Sequence, residues 1–267
     1  MVLMNDMKSS AVSGGDVSAI ILVAGVGRRL QDAVPEPKVL LSFGGQTLLE
    51  RHLRVLLANG IGDITLTVGY QRDLIGRELS RLGLEARVRM VENPDFRLGS
   101  LVSLSVQSEQ LQSGRTVVLM DGDVLYDKSM ITRLLAAPAE NVLLLDRAIE
   151  PGDEPVKICV RGERIVDLRK VPEHPHDWFG ESVGFFRFSP ATARALAERC
   201  GWYVAQGQTR VEYEEAIRDL ILAEPDRFAA TDISDIPWIE IDFVDDVTRA
   251  REIILPRLES PAHEYCA

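Results

Sequence analysis

A glycine-containing loop near the N-terminus carries the first residues that could bind a phosphorylated ligand. The apolar run AIILVA leads into Gly25-Val26-Gly27, where glycines let backbone N–H groups approach a phosphate without an intervening Cβ. Arg28, Arg29 and Lys38 follow in the sequence. Arginine offers a planar fork to phosphate oxygens and lysine a compact charge, so the cluster predicts a triphosphate site. The residues expected to contact the nucleotide here are Leu22, Ala24, Gly25, Val26, Gly27 and Arg28.

The same loop excludes two familiar phosphate-binding motifs. Leu30 stands where the dinucleotide-binding fingerprint has its third glycine. The loop also lacks the Gly-Lys-Ser/Thr ending of a P-loop. The segment therefore indicates a different class of nucleotide site.

Two acidic segments predict a metal site. Asp121-Gly122-Asp123 comes directly after the apolar strand VVLM, at the end of a parallel strand, where open α/β sheets bind ligands. In Trp238–Asp242, strand alternation puts Glu240 and Asp242 on one face. An isolated Asp-Gly-Asp is more often a turn than a metal site, but the second cluster favours Mg²⁺, which prefers oxygen ligands.

The loop and the lysine together resemble the signature of nucleotidyltransferases that couple a nucleoside triphosphate to a phosphorylated small molecule. That family includes sugar-1-phosphate nucleotidyltransferases and the phosphocholine, aminoethylphosphonate and inositol-phosphate cytidylyltransferases. Here the pattern is Leu22-Val23-Ala24-Gly25-Val26-Gly27-Arg28-Arg29-Leu30 and Pro37-Lys38-Val39-Leu40, with Val23 in place of the commoner alanine. The resemblance continues, in the expected order, through VGYQRDLI, ENPDF, MDGDVLY and GESVGFFRFSP.

The resemblance implies a Mg²⁺-dependent, in-line attack of a substrate phosphate on the α-phosphorus, with release of pyrophosphate. Arg29 is then assigned to the triphosphate and Lys38 to the phosphates at the reacting centre. Asp123 and Asp242 jointly hold Mg²⁺, with Glu240 as a third participant, and Asp121 belongs to the nucleotide site. The protein supplies no covalent nucleophile, because the acceptor phosphate is already anionic.

The segment after the third strand bears on the nucleotide. Glu92-Asn93-Pro94, followed by Ser100 and Ser103, resembles the cytidylyltransferase branch, so Asn93 and Ser100 are expected in a CTP site. UTP and dTTP remain alternatives.

The acceptor pocket is expected in the C-terminal half, and its chemistry stays open at this point. Aromatic faces beside a carboxylate would hold a choline-type cation; in the inositol-phosphate branch, Glu181 would instead meet hydroxyl groups. The residues expected there are Trp178, Glu181, Ser182, Gly184, Tyr213, Glu214 and Trp238.

Three other functions share this sequence pattern. A sugar-1-phosphate nucleotidyltransferase would make an NDP-sugar by the same chemistry. A guanylyltransferase or glycosyltransferase has the same core but fits WIEID and GESVG less well. A non-catalytic nucleotide-binding regulator should have lost Arg29, Lys38, Asp123 or Asp242, and all four are present.

Composition limits the partners and the compartment. The 267 residues carry a formal net charge of −11, which does not favour nucleic-acid binding. The three cysteines, Cys159, Cys200 and Cys266, suggest incidental thiols in a reducing cytoplasm, and no apolar stretch predicts membrane insertion. The expected partners are a nucleoside triphosphate and a phosphorylated small molecule, with a homo-oligomer left open.

His52 falls in the first helix, and His174 and His176 fall in an exposed polar loop.

The elements that must position these residues alternate in type. Short β-branched runs and amphipathic stretches predict βαβ units and a mainly parallel sheet. The predicted strands are 18–24, 63–69, 86–92, 116–120, 141–146, 156–160, 164–169, 182–188 and 238–241. The predicted helices are 47–58, 72–82, 101–110, 128–136, 190–199, 211–223 and 244–258.

The expected fold class is α/β, with a Rossmann-like (GT-A-type) sheet flanked by helices and a smaller mixed or antiparallel substrate lobe. Residues 1–16 are expected to be a disordered leader before a single nucleotidyltransferase domain over 17–260. Within it we expect a nucleotide-binding core (17–150), an acceptor lobe with the second metal ligand (151–243) and a C-terminal helix (244–260).

Overall fold

A computed structural model describes residues 14–30, 35–148 and 155–259 of the chain. Most of the predicted leader lies outside these residues, as do His263 and Cys266. Within the predicted leader, Gly14–Asp16 forms a 3-10 turn that leads into the first strand.

The strands of the described ranges are β1 (Val17–Leu22), β2 (Ser42–Phe43), β3 (Gln46–Thr47), β4 (Asp63–Val68), β5 (Val88–Glu92), β6 (Thr116–Asp121), β7 (Val124–Tyr126), β8 (Asn141–Asp146), β9 (Lys157–Arg161), β10 (Arg164–Arg169), β11 (Trp178–Phe188), β12 (Phe228–Asp232) and β13 (Trp238–Glu240). The helices are α1 (Leu48–Ala58), α2 (Arg72–Leu82), α3 (Ser100–Ser105), α4 (Ser108–Leu111), α5 (Ser129–Ala136), α6 (Pro190–Ala205), α7 (Tyr213–Ala223), α8 (Val244–Arg249) and α9 (Leu255–Glu259).

Of the described strands, nine form one sheet. Strands β5, β4, β1 and β6 are parallel neighbours, and β11 pairs antiparallel with β6, β8 and β9. The registers put β8 on one edge of β11 and both β6 and β9 on the other, so the β9–β10 hairpin extends beside the first half of β11. The mainly parallel sheet with an antiparallel extension agrees with the expected fold class.

The central strand β1 shows why the sheet forms. Its sequence VSAIIL is almost continuously apolar, as expected for a strand covered on both faces. Ala19 and Ile21 pack in one hydrophobic cluster, while Ile20 packs in the other. Alternate side chains therefore serve opposite faces of the sheet.

The structure differs from the expected elements where pairing is non-local. Strand β12 and the β7–β13 ladder join segments far apart in the sequence, and β7 and β12 have weak local patterns. The expected helix 101–110 is divided into α3 and α4 at Gln107, whose buried amide donates to Thr67 Oγ1 at 2.8 Å. The C-terminal helix continues from α8 to α9 through a π-helical turn, Ala250–Ile254.

Two further findings concern the described residues. Their helices include none with the length and apolar character needed to cross a membrane. Cys159 and Cys200 are buried free thiols, and burial raises the pKa of each to about 12. Neither thiol is ionised at neutral pH.

Candidate active site

The carboxyl ends of β1 and β6 lie side by side and bring the glycine loop next to the Asp121–Asp123 turn. Leu22 is in register with Asp121, and the Gly122 N–H donates to the Leu22 carbonyl at 3.1 Å. A Cβ on Gly122 would lie only 2.4 Å from Val23 Cγ1. Glycine therefore allows the turn to pack directly against the loop that follows β1.

The β7–β13 ladder brings the second acidic segment to the same edge of the sheet. Glu240 pairs with Val124, and the Ile241 N–H donates to the Asp123 carbonyl at 2.9 Å. One carboxylate oxygen from each of Asp123, Glu240 and Asp242 lies within 4.8 Å of the other two. We refer to these three residues as the acidic centre.

Lys38 lies between two carboxylates of the acidic centre. Its Nζ donates to Asp123 Oδ2 at 3.0 Å and to Asp242 Oδ1 at 2.5 Å. Burial alone would lower the pKa of Lys38, but the charges and hydrogen bonds of the two aspartates outweigh it and raise the pKa overall. The ammonium therefore stays charged at neutral pH and neutralises part of the acidic centre.

Arg29 lies at the rim of the same centre. Its Nη1 donates to Asp242 Oδ2 at 2.8 Å, and its guanidinium lies 5.1 Å from the ring centroid of Phe243. Burial would raise the pKa of Asp242, but Lys38 and, to a smaller extent, Arg29 lower it overall. Asp242 is consequently a carboxylate held between two cations.

The donor set of the acidic centre fits a divalent cation. The three carboxylates repel one another. Burial and the charges of Asp123 and Asp242 therefore raise the pKa of Glu240 well above its ordinary value. Carboxylate oxygens are the ligands that Mg²⁺ prefers, and a second positive charge would relieve this repulsion.

A cleft of about 760 Å³ opens at the acidic centre. It lies within the size range of small-molecule sites. Its lining contains the acidic centre, Arg29 and eight of the nine residues predicted to bind the nucleotide, namely Leu22, Ala24, Gly25, Val26, Gly27, Arg28, Ser100 and Asp121. A smaller cavity of about 80 Å³ lies between the glycine loop, Lys38 and Asp123.

Asn93 is the predicted nucleotide residue that does not line the cleft. It is fully buried; its amide donates to Ser103 Oγ at 3.0 Å, and its Oδ1 accepts from the Asp95 N–H at 2.9 Å. Asn93 is thus bonded within the loop between β5 and α3, and its contact with a nucleotide stays a prediction.

The far side of the cleft is built on a close approach of Gly184 to Asp121. Gly184 has φ +73°, and a Cβ there would lie 2.1 Å from Asp121 Oδ2. The same oxygen accepts from the Tyr213 hydroxyl at 2.7 Å. Burial and the neighbouring charges of Asp123 and Glu214 raise the pKa of Asp121 well above its ordinary value.

Glu214 lines the cleft beside Tyr213. Its Oε2 is buried and has no hydrogen-bond partner among the described residues. Burial raises the pKa of Glu214 to about 7, while the charge of Lys170 opposes that rise. Lys170 also lines the cleft, so this part of the cleft holds one carboxylate oxygen without a donor and one cation.

The structure does not bring together the aromatic side chains considered for a choline-type site, which was one of two alternatives for the acceptor. Trp178 lies outside the cleft lining with the Arg147 guanidinium 4.4 Å from its ring. Trp238, also outside the lining, donates from its indole N–H to Asp146 at 2.9 Å. Tyr213 does line the cleft, but it is only 2% exposed and its hydroxyl donates to Asp121.

Glu181 also lies outside the cleft lining, whereas its neighbour Ser182 is part of it. The charge of Glu181 contributes a small part of the rise in the pKa of Glu240, after burial and the nearer aspartates. Glu181 is thus close to the acidic centre without facing the cleft. Its contact with acceptor hydroxyls, considered for the inositol-phosphate branch, stays a prediction.

Sequence reasoning missed several residues of the cleft. Lys170, which directly follows β10, lines the cleft. The polar loop expected to be exposed also holds His174, whose side chain is 41% exposed while its Nδ1 lies 3.1 Å from the buried Asp167. Arg210, Glu212 and the segment 96–99 also line the cleft, and their contacts depend on distant pairings such as Gly99 N–H to Thr209 O at 2.8 Å.

Comparison with known proteins identifies the domain. The family described as the MobA-like NTP transferase domain matches residues 19–177. The chain belongs to this family. The resemblance inferred from the glycine loop and the acidic segments is confirmed.

Two relatives extend the match over most of the chain. The bifunctional IPC transferase and DIPP synthase of Rubrobacter xylanophilus is 29% identical over 244 residues, covering 90% of this chain and 52% of the relative. The CMP-5'-(3-aminopropyl)phosphonate synthase of Streptomyces rubellomurinus is 28% identical over 248 residues, covering 88% of this chain and 38% of the relative. The chain thus spans about half the length of the first relative and less of the second.

A solved structure supports the fold over nearly the whole chain. The inositol-1-phosphate CTP transferase of T. maritima superimposes with a TM-score of 0.72 at 21% identity, covering 94% of this chain and 98% of that chain. The Rossmann-like α/β fold expected from the sequence is confirmed by this likeness.

Proposed function

We propose that this protein is a Mg²⁺-dependent cytidylyltransferase that couples CTP to a phosphorylated or phosphonylated small molecule and releases pyrophosphate. The observation that carries the proposal is the pairing of Lys38 with Asp123 and Asp242, two carboxylates that line a cleft beginning at the glycine loop, while Lys38 lines the smaller cavity beside it. An anion-binding loop, a charged lysine and a cluster of oxygen ligands are the parts that nucleotidyl transfer requires.

The chain's own residues bind and orient the reactants in this proposal. Backbone N–H groups of the glycine loop and the guanidinium groups of Arg28 and Arg29 bind the triphosphate. Lys38 stabilises the negative charge that develops on the α-phosphate as the acceptor oxygen attacks and pyrophosphate leaves. A divalent cation held by Asp123 and Asp242, with Glu240 as a third ligand, would supply further charge neutralisation there.

The cytidine preference rests on the relatives and on one loop. Two of the matched proteins carry CMP or CTP in their names. In this chain, buried Asn93 and Ser103 hold the segment between β5 and α3 against the cleft, where Ser100 is exposed to a ligand. A base would lie beside this segment when its triphosphate is bound to the glycine loop.

The acceptor is proposed to carry a phosphate or phosphonate at one end and hydrogen-bond donors at the other. Lys170 provides a positive charge in the cleft for the anionic end. Glu214 Oε2 lacks a donor, and a buried acceptor without a partner costs about 1–3 kcal/mol, which a hydroxyl or ammonium of the ligand would recover. The matched proteins are named for inositol-1-phosphate and an aminopropylphosphonate, which both fit this description.

A pyrophosphate-release screen tests the proposal. CTP, UTP, dTTP, GTP and ATP are each combined with inositol phosphate, phosphocholine, phosphoethanolamine, aminoalkylphosphonates and hexose-1-phosphates in the presence of Mg²⁺. We expect turnover with CTP and an acceptor that bears hydroxyl or ammonium groups. Asp242→Asn should remove most of this turnover, whereas Asp245→Asn, at an exposed neighbouring aspartate, should keep it.

Two outcomes of the screen would contradict the proposal. Preference for UTP or dTTP with a hexose-1-phosphate would make the protein a sugar-1-phosphate nucleotidyltransferase. Binding of nucleotide without pyrophosphate from any pair would instead favour a non-catalytic regulator.

A further inference from the structure

His52 lies next to the Asp121–Asp123 turn and takes no part in the proposed reaction itself. His52 lies on the buried face of α1 and is 0% exposed. Its Nε2 lies 3.1 Å from the carbonyl oxygen of Gly122, and its Nδ1 lies 3.3 Å from the hydroxyl of Tyr126. The imidazole therefore connects α1 to the turn and to β7, which follows that turn.

The hydrogen-bonding direction follows from the partners. A carbonyl oxygen only accepts, so Nε2 must carry the proton and donate to Gly122. The Nδ1 of the neutral ring is then an acceptor, and the Tyr126 hydroxyl donates to it. Burial lowers the pKa of His52 to about 4 and raises that of Tyr126, which agrees with a neutral imidazole and a protonated phenol.

The surrounding packing holds this pair in one orientation. The rings of His52 and Tyr126 are stacked with centroids 5.3 Å apart, and Phe185 contacts Tyr126 edge-on with centroids 4.8 Å apart. Tyr126 also lies in the ladder between β7 and β13, opposite Trp238. The imidazole therefore has little freedom to turn away from Gly122.

The Gly122 carbonyl belongs to the peptide that leads into Asp123. The Gly122 N–H is already held by the Leu22 carbonyl, and the Asp123 carbonyl accepts from the Ile241 N–H. His52 supplies a further hydrogen bond to this short stretch, on the peptide plane that aims the Asp123 side chain. Without it, the Gly122 carbonyl would be buried without a donor and the plane would be free to tilt.

We propose that His52 is a positioning residue for Asp123, holding through its Nε2–H the peptide that directs this carboxylate toward the divalent cation, with Tyr126 orienting the imidazole. The inference rests on the proposed metal-binding role of Asp123 and Asp242. Partners that orient metal ligands typically contribute 10- to 100-fold in metal affinity or activity.

The test measures Mn²⁺ affinity directly, by electron paramagnetic resonance of the free ion, alongside kcat and KM. We expect His52→Leu to weaken Mn²⁺ binding about 10- to 100-fold and to lower kcat more than it raises the KM for nucleotide. His52→Gln keeps an amide donor and should restore much of the affinity. Tyr126→Phe, which leaves the imidazole in place, should weaken binding only a few-fold.

A matched variant separates positioning from general destabilisation. Leu56→Ala removes a fully buried side chain from the same helix, so it should lower the melting temperature without changing Mn²⁺ affinity. If His52→Leu does not fold, His52→Gln and Tyr126→Phe carry the test, because both retain the volume of the site.

The outcomes distinguish this inference from the proposed function. Unchanged Mn²⁺ affinity in His52→Leu and Tyr126→Phe, or an equal loss in Leu56→Ala, would overturn the positioning role alone. Absence of Mn²⁺ binding by the wild-type protein, or binding indifferent to Asp242→Asn, would overturn the proposed metal site and this inference with it.

Discussion

Asp167 is a buried carboxylate whose removal should change both the stability of the protein and its response to acid. It is 0% exposed, and its Oδ2 accepts from the backbone N–H groups of Glu173 and His174 at 2.7 and 3.0 Å. Its Oδ1 accepts from Arg218 Nε at 2.7 Å. These bonds connect β10, the loop that begins at Lys170, and α7, so two walls of the cleft depend on one side chain.

The expected magnitude follows from the pKa of this carboxyl group. Burial would raise the pKa of Asp167, but the hydrogen bonds from Glu173, His174 and Arg218 lower it from 3.8 to about 2. At about 1.4 kcal/mol per pH unit, ionised Asp167 contributes about 2.5 kcal/mol to the free energy of unfolding. Because the pKa is lowered in the folded state, this contribution is complete above about pH 4 and is lost as the pH falls toward 2.

Asp167→Asn tests this reasoning. At pH 7 the variant loses the ionised carboxylate and leaves Arg218 without its buried partner, so unfolding free energy should fall by about 3–5 kcal/mol. On acidification to pH 3, the difference from wild type should shrink by about 1 kcal/mol, since roughly half of the pH-dependent contribution is then gone.

The measurement is urea unfolding of both proteins between pH 7 and pH 3. Asp226→Asn is the matched control, because Asp226 pairs with Arg164 at the surface, where both side chains are mostly exposed. Such a pair contributes at most about 1 kcal/mol. A stability difference for Asp167→Asn that stays constant over the whole pH range, or that only equals the control, would refute the argument.

Three further predictions concern the cleft. Lys38→Ala should lower kcat by at least about 100-fold with a smaller change in the KM for CTP, because the lysine acts on charge that develops in the transition state. Unchanged steady-state kinetics would make Lys38 a structural lysine. Gly184→Ala should destabilise the protein and reduce turnover more than Gly162→Ala does, because both glycines have positive φ but only at Gly184 would a Cβ contact Asp121. Glu214→Gln should abolish a pH dependence of acceptor binding. With a pKa of about 7, wild-type Glu214 becomes charged as the pH rises through 7, so the KM of an acceptor with donor groups should fall there. The same pH profile in the variant would contradict this role.

Local sequence patterns predict the nucleotide side of the cleft because its residues sit at strand ends. The apolar runs of β1 and β6 are long and buried, and parallel pairing brings their carboxyl ends together without further information. The alternation in β13 likewise indicates which carboxylates share a face. The positions of the glycine loop, Asp123 and Asp242 therefore follow from the strands that carry them.

The acceptor side could not be predicted in the same way. Whether an aromatic side chain faces a ligand depends on its partners, and Trp238 and Trp178 are taken by Asp146 and Arg147, far away in sequence. The amide of Asn93 is also occupied, although its partners Ser103 and Asp95 lie close in sequence. A motif identifies a residue as important, but only the packing shows whether it contacts the ligand or supports the loop that does.

The charges of the cleft explain how an acidic protein could accept a strongly anionic nucleotide. Lys38 and Arg29 are bound to Asp242 in the structure described here, so carboxylates of the acidic centre act as their internal counter-ions. In the proposed reaction, Asp123 and Asp242 would hold the divalent cation, and the ammonium of Lys38 and the guanidinium of Arg29 would then pair with the phosphates of the nucleotide. Lys38, Arg29 and Asp242 would then each keep a partner of opposite charge, which limits the cost of burying them. The net charge of −11 then acts mainly at a distance, where salt screens it.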